Sequence, residues 1–198
     1  MYPNSIKNLI ESFKYLPGIG DKTAERLAFS MLSFDKDMLS NFSNSIVDVR
    51  DKVVKCAICN NISESEKCSI CSSLSRRNDT LFVVEKAKDV FLFERLGIYD
   101  GRYHVLDGVI SPMDGIGPDD ISIPSLIKRI ENGDIKEVIL ALKPNLEGET
   151  TMQYIIKILN RYDVHVSKLA TGMPIGTDIE YIDSLTLELA LEQRKSVN

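Results

Sequence analysis

The stretch 56-CAICNNISESEKCSIC-71 contains all four cysteines of the 198-residue chain. Each Cys-x-x-Cys pair can place two thiolates on one tight turn, and two such turns that face each other form a tetrahedral site with four sulfur ligands. This geometry suits Zn²⁺, which binds thiolate sulfur at about 2.3 Å. The spacing therefore predicts a zinc site whose ligands are Cys56, Cys59, Cys68 and Cys71.

Two disulfides are the alternative use of these cysteines, and disulfides persist in oxidising compartments. The sequence begins Met-Tyr-Pro-Asn-Ser-Ile-Lys and shows no apolar core of an export signal there. We therefore expect a cytoplasmic protein with reduced cysteines. Because four thiolates complete the coordination of zinc and no fifth ligand is evident nearby, the metal should organise structure rather than catalyse. A module this small cannot bury a core and depends on its metal.

The composition limits the possible functions. The hydrophobic fraction of 43% is enough for an ordinary core, and no apolar run approaches the roughly 20 residues that span a bilayer, so no membrane association is expected. The net charge of −5 argues against extensive nucleic-acid binding. The charge is uneven, however, because residues 1–80 contain 11 Lys/Arg and 10 Asp/Glu, whereas the remainder contains 13 and 19. Any DNA contact in the N-terminal part must therefore be local.

Residues 5–55 are predicted to be helical, because apolar side chains recur there at helical spacing. One stripe contains Ile6, Leu9, Ile10 and Phe13, and a second contains Leu39, Phe42, Ile46, Val49 and Val53. Between them lies the turn Leu16-Pro17-Gly18-Ile19-Gly20.

This turn and the helix after it suit an anion. Gly18 and Gly20 allow a tight turn with uncovered N–H groups, and the helix that follows points its positive end in the same direction. Lys22 and Arg26 are four residues apart and share a helix face. The segment resembles a helix-hairpin-helix motif, which binds the DNA backbone without sequence preference; the alternative is an ordinary turn with two solubilising cations. We favour DNA binding at these four residues.

From residue 80 onward, short apolar strands alternate with helices, which predicts an α/β region with a mainly parallel sheet. The predicted strands are 81–84, 103–106, 138–142 and 164–169, and the predicted helices are 87–96, 125–130, 151–161 and 184–194.

Three glutamates follow strands of this sheet. Glu85 comes directly after the first strand, and Glu147 and Glu149 follow a later strand after a short turn. Function gathers at the carboxyl ends of strands in open α/β sheets, and carboxylate oxygens can hold Mg²⁺. The pattern resembles the Toprim arrangement of topoisomerases and primases. It predicts an acidic cluster rather than three separately solvated carboxylates, and Mg²⁺ binding is the less favoured use of that cluster.

The order of these parts resembles the RecR family of bacterial recombination mediators over essentially the whole chain. The matching segments are 16–22, 108–112, 115–118, 147–149, 172–176 and 178–181. The resemblance implies four regions: a helix-hairpin-helix region at 1–55, a four-cysteine zinc-finger module at 56–79, a Toprim domain at 80–175, and a C-terminal segment and helix at 176–198.

The resemblance also implies a function. It implies a repair accessory without enzymatic activity that forms a ring-like homotetramer around double- or single-stranded DNA. With RecO and RecF it would help to load RecA on single-stranded DNA. The cysteines would be zinc ligands, Lys22 and Arg26 would contact DNA, and Glu85, Glu147 and Glu149 would form a partner-contact or divalent-ion surface. A ring would also let the weak hairpins of four subunits act together on one DNA molecule, although each subunit is acidic overall.

Two other hypotheses remain open. The chain could be a Mg²⁺-dependent Toprim nuclease, primase or topoisomerase that uses the three glutamates, although no domain with a tyrosine nucleophile and no nucleotide-binding surface is evident. The cysteine module could also serve only as a knuckle for protein interaction.

Overall fold

The chain divides into two compact units, Met1–Val53 and Val54–Asn198, in a computed structural model that describes residues 2–196. The first unit contains helices α1 (Asn4–Lys14), α2 (Asp21–Ser30) and α3 (Lys36–Lys52), with a short 3₁₀ helix at Met31–Ser33 between the last two. Its core is small. Phe13 of α1 packs against Ala24 and Ala28 of α2, and these small side chains let the two helices approach closely.

Helix α3 begins at an N-cap, because the Asp35 carboxylate accepts a hydrogen bond from the Met38 N–H group at 2.8 Å. The predicted second apolar stripe lies on this helix but is not buried within the described residues. Phe42, Ile46 and Val49 remain 43%, 60% and 65% exposed. A 17-residue helix with one apolar face toward water lacks the packing that normally stabilises it.

The second unit opens with the cysteine module. Strands β1 (Val54–Lys55) and β2 (Ile62–Ser63) pair antiparallel, and the short helix α4 (Ser69–Ser72) follows. This module leads into the main sheet of the unit.

The main sheet and its helices come next along the chain. They are β3 (Thr80–Val84), α5 (Ala87–Leu96), β4 (Arg102–Val105), α6 (Ile123–Glu131), β5 (Glu137–Ala141), α7 (Leu146–Leu159) and β6 (His165–Lys168). A short 3₁₀ helix at Pro112–Asp114 lies between β4 and α6. The four strands are parallel in the order β4-β3-β5-β6, which confirms the predicted α/β class.

Both faces of the sheet are covered. Leu81 and Val83 of β3 face a core that includes Leu126 of α6 and Ile155 of α7. Phe82, on the opposite face, packs against Phe93 and two tyrosines, Tyr99 and Tyr103, whose ring centroids lie 4.6–5.8 Å away. All five residues of β3 are buried, as expected for a central parallel strand.

Helix α7 begins earlier than the sequence predicts. The Asn145 side chain accepts a hydrogen bond from the Gly148 N–H group at 2.9 Å, so the helix begins at Leu146 rather than near residue 151. Glu147 and Glu149 therefore lie in its first turn and not in the preceding loop. A Cβ on Gly148 would lie 2.0 Å from the Lys143 carbonyl oxygen, so only glycine fits where the helix passes the end of β5.

A 3₁₀ helix at Ile179–Tyr181 and α8 (Ser184–Glu192) follow the sheet. The N-cap of α8, Asp183, accepts a hydrogen bond from the Thr186 N–H group at 2.9 Å. Within residues 2–196, no helix combines the length and the apolar character needed to cross a membrane.

His104 of β4 is fully buried. Its Nε2 lies 3.0 Å from the Ser122 carbonyl oxygen, which can only accept, so Nε2 donates and the proton resides there. Nδ1 is buried without a hydrogen-bond partner in the described structure. Burial lowers the pKa of His104 to about 4, and the charge of Arg129 acts in the same direction. The folded protein therefore holds this imidazole neutral.

We expect His104 to make the protein less stable as the pH falls below the unfolded-state pKa of about 6.5. The unfolded chain gains a proton that the folded chain does not, so the free energy of unfolding should drop by about 2 kcal/mol between pH 7 and pH 5 through this residue alone. Urea unfolding at both pH values should show a smaller drop for His104→Gln, whose amide can still donate to Ser122. Equal drops in parent and variant would contradict this assignment.

Candidate functional site

The four cysteines converge in one buried cluster. Their Sγ atoms all lie within 4.8 Å of one another, and no disulfide joins them. Each Cys-x-x-Cys turn is called a knuckle below: the first contains Cys56 and Cys59, and the second contains Cys68 and Cys71. The Sγ atoms of Cys59 and Cys68, one from each knuckle, are 3.5 Å apart. Tetrahedral coordination with Zn–S bonds of about 2.3 Å requires sulfur atoms about 3.8 Å apart. The cluster therefore has the ligand type, the number and the approximate spacing of a closed zinc site.

Backbone N–H groups support the sulfur atoms. The Cys68 N–H group donates to the Cys56 Sγ at 3.3 Å, and the Cys71 N–H group donates to the Cys68 Sγ at 3.5 Å. Burial opposes ionisation of Cys56, but hydrogen bonds from backbone N–H groups outweigh the effect of burial and lower the pKa of this thiol to about 6. Burial raises the pKa of Cys68 to about 11. Without a cation, the four thiols therefore cannot all ionise at neutral pH, and a zinc ion would supply the missing positive charge.

The cysteine module is attached to β4, the edge strand of the sheet. The Val105 N–H group donates to the Cys59 carbonyl oxygen at 2.8 Å, so the first knuckle continues the hydrogen bonding of that edge. Asn60 follows in a left-handed conformation, with φ of 62°, and its side chain donates to the Val105 carbonyl oxygen at 3.2 Å. Arg102 donates to the carbonyl oxygen of Cys71 in the second knuckle at 2.8 Å. Both knuckles are thus held by one strand.

The residues that hold the module were not identified from the sequence. Asn60 offered the one usable signal, because asparagine tolerates the left-handed conformation and here directly follows a Cys-x-x-Cys pair. Arg102 and Arg129 gave no signal, since their partners are backbone carbonyl groups distant in sequence.

The predicted hairpin forms a turn in which one glycine is conformationally required. The Ile19 N–H group donates to the Leu16 carbonyl oxygen at 3.1 Å, with Pro17 and Gly18 at the central positions. Gly18 has φ of +81°, which favours glycine, whereas Gly20 is extended, with φ of −88° and ψ of 175°. Gly20 serves instead as the N-cap of α2, and a Cβ there would meet open space.

Lys22 and Arg26 are both exposed on α2, next to this turn. In the part of the chain that the structure describes, neither side chain has an ion-pair partner. Lys14 differs, because it contacts Asp21 at 2.9 Å and Glu11 at 3.2 Å. The N-cap of α2 has no side chain to accept from the first N–H groups of the helix. The turn, the helix end and the two cations together can hold an anion, since Asp21 in the first turn of α2 is paired with Lys14.

The three predicted glutamates have separate partners. Glu85 pairs with Lys86 at 3.2 Å, Glu147 accepts a hydrogen bond from the Ser111 hydroxyl at 2.9 Å, and Glu149 lies 3.6 Å from Lys168. Glu85 lines a cavity of about 400 Å³ whose other lining residues include Lys86, Lys88 and Lys143. Among residues 2–196, the cysteines are the one group of three or more Cys, His, Asp or Glu side chains close enough to share a metal.

Removal of the metal should weaken the second unit, because a closed site contributes folding free energy, about 10–16 kcal/mol in isolated zinc-finger peptides. Complete chelation of zinc and the substitution Cys68→Ser should each lower the thermal unfolding midpoint and the zinc content per chain. Ser69→Ala, at the exposed neighbouring position, should change neither. A parent midpoint that survives complete zinc removal would refute a structural role.

Four protein-family models match the chain in the order of these structural parts. They are the RecR helix-hairpin-helix at residues 6–50, the RecR four-cysteine zinc finger domain at 53–73, the Toprim domain at 79–170 and the RecR C-terminal model at 172–195. The zinc-finger match and the clustered sulfur atoms agree, so the expected structural zinc is confirmed as the metal of this site.

Several curated proteins are similar along nearly their whole length. The recombination protein RecR of Lactobacillus delbrueckii subsp. bulgaricus is 50% identical over 194 residues, 98% of each chain. Those of Lactobacillus helveticus and Staphylococcus aureus strain Newman are 47% identical, over 99% and 98% of each chain respectively. At this identity and coverage, and with the helix-hairpin-helix, the four-cysteine site and the parallel sheet in the same order, the chain belongs to the RecR family of recombination proteins.

Proposed function

We propose that this protein is a DNA-binding recombination mediator of recombinational repair that holds the DNA backbone through its hairpin and does no chemistry on it. The observation that carries the proposal is the pair of exposed cations without ion-pair partners in the described structure, Lys22 and Arg26, beside the N-terminus of α2. Family membership supports the same role, because the relatives are named recombination proteins.

The chemistry of this surface suits phosphate rather than base edges. A turn and a helix N-terminus direct N–H groups at an anion, and two cations on one face neutralise its charge. Contacts of this kind fix a protein on the DNA but carry no sequence information. Both double- and single-stranded DNA offer the phosphates that this surface needs.

A single hairpin with two cations binds weakly, so useful affinity requires several copies acting together. The exposed apolar face of α3, with Phe42, Ile46 and Val49, supports self-association, since a face of this size normally packs against another surface. We propose a homotetrameric ring that brings four hairpins to one DNA molecule.

The absence of catalysis is also part of the proposal. Glu85, Glu147 and Glu149 each have a separate partner, which supports a use other than joint coordination of Mg²⁺. We propose instead that these glutamates belong to a surface that contacts partners, RecO and RecF, during the loading of RecA in the cytoplasm. The excess of acidic residues after residue 80 supports this use, because it suits basic partner surfaces.

The double substitution Lys22→Ala with Arg26→Ala should weaken binding to all DNA sequences alike. Each lost phosphate contact should reduce the slope of log K against log salt by about 0.9 on duplex DNA, so each engaged hairpin should contribute about 1.8. Fluorescence anisotropy with several unrelated duplexes, titrated over KCl concentration, measures both effects.

The matched control is Lys7→Ala with Arg50→Ala, which removes the same charge from exposed positions of the same unit. We expect it to keep the parent's affinity and slope to a first approximation. If the hairpin variant binds like the parent, or if both variants lose affinity equally, the hairpin is not the DNA-binding surface.

Self-association has its own test. Ile46→Asp places a charge in the apolar face of α3 and should reduce the mass in solution, measured by light scattering, below that of the parent, which should be about four times 22.2 kDa. Asn44→Asp adds the same charge off this face and should leave the mass unchanged. If light scattering gives the parent the mass of a single chain, the ring is excluded.

A further inference from the structure

Two arginines of the sheet and its helices lie beside the cysteine module. Arg102 begins β4, and its guanidinium donates to the carbonyl oxygens of Cys71 at 2.8 Å and Ser73 at 3.3 Å. Arg129 lies on α6 and donates to the carbonyl oxygen of Tyr103 at 2.6 Å. The two arginines line one cavity of about 370 Å³, which the first knuckle also borders.

Their positive charges have no carboxylate partner. Within residues 2–196, neither Arg102 nor Arg129 forms an ion pair, and the hydrogen-bond partners of both are neutral carbonyl groups. The Nε of Arg102 is buried with no hydrogen-bond partner. Burial lowers the pKa of Arg129, and the neighbouring charge of Arg102 acts in the same direction. Two guanidinium groups that line one cavity in partly buried positions require negative charge nearby.

The zinc site supplies that charge. Four thiolates and one Zn²⁺ have a net charge of −2, which balances two guanidinium groups. The sulfur atoms of Cys71, Cys59 and Cys56 act on Arg129 in the direction that favours its charged form, so this arginine is within electrostatic reach of three of the four ligands. Arg102 is directly hydrogen-bonded to the backbone of Cys71, the last of the four ligands along the chain.

We propose that Arg102 and Arg129 are the counter-charges of the zinc–thiolate centre. They are positioning residues, because Arg102 donates to the backbone of Cys71 and Arg129 donates to the backbone of Tyr103 in β4. Zinc binding and attachment of the module to β4 are then one linked equilibrium. Zinc creates the negative charge that the two arginines need, and the arginines lower the cost of four thiolates at one buried place.

A phosphate-binding cavity is the competing use of the same two arginines. Asp134 also lines the cavity, and its carboxylate would repel an anion. Arg102 already directs two of its donors at the second knuckle rather than at the open space. Both observations favour the internal counter-charge.

The test uses the full-length, zinc-loaded protein and compares Arg129→Met, Arg129→Lys and the control Lys128→Met, which removes an exposed charge from the same helix. A metallochromic indicator reports zinc release into excess chelator. We expect release from Arg129→Met to be at least about tenfold faster than from the parent, release from Arg129→Lys to lie between the two, and Lys128→Met to match the parent. Should Arg129→Met not fold, Arg129→Gln, which keeps a donor for Tyr103, replaces it.

The absorption spectrum of cobalt-loaded protein is a second measurement, and a loss of packing alone would not change it. Removal of a neighbouring cation raises the energy of the thiolate electrons, so the sulfur-to-cobalt charge-transfer band of Arg129→Met should shift to longer wavelength, and that of Arg129→Lys should shift less. Equal release from the parent and Arg129→Met would overturn the proposal, as would Met and Lys variants that behave alike. The proposal would also be overturned if phosphate raises the thermal unfolding midpoint of the parent but not that of Arg129→Met, while both proteins release zinc at the same rate.

Discussion

The hydrogen bond from the Val105 N–H group to the Cys59 carbonyl oxygen, 2.8 Å long, lies where two structural requirements meet. β4 is an edge strand, and an edge presents unpaired backbone groups that invite pairing with another chain. The cysteine module, in turn, has too little apolar surface to hold itself together. Docking the module on β4 serves both needs, because the module pairs with the edge at Val105 and the strand fixes the module.

The parts of the molecule that the sequence predicts are those with local causes. Four thiolates in two Cys-x-x-Cys pairs determine their own cluster, because each pair needs only one tight turn. The strands β3 and β5 follow from short apolar runs between helical patterns, since a strand covered on both faces needs apolar residues throughout. The hairpin follows from Pro17 and Gly18, whose preferred dihedral angles are those of the turn they form. In each case the information lies within a few residues of the structure it determines.

The remainder depends on contacts between distant residues. Arg102 and Arg129 are ordinary cations in the sequence, and only the folded chain shows that their hydrogen-bond partners are backbone carbonyl groups. Glu85 directly follows β3, but the early start of α7 at Leu146 places Glu147 and Glu149 in a helix turn. Residues two apart on a helix do not face each other. Sequence reasoning can therefore place charges at a sheet edge without showing which of them meet.

Local charge, rather than the net charge of −5, decides whether the hairpin can hold a phosphate. At physiological ionic strength, exposed charges more than about 8 Å away are largely screened. The charge that matters most is then Asp21, which begins α2 and would repel a phosphate at that helix end. Lys14 pairs with Asp21 at 2.9 Å and lowers its pKa, so the carboxylate stays ionised but is offset by a cation. Lys22 and Arg26 remain available for an anion because Lys14 on the neighbouring helix balances Asp21, and the other nearby acid, Glu25, accepts a hydrogen bond from the Tyr2 hydroxyl.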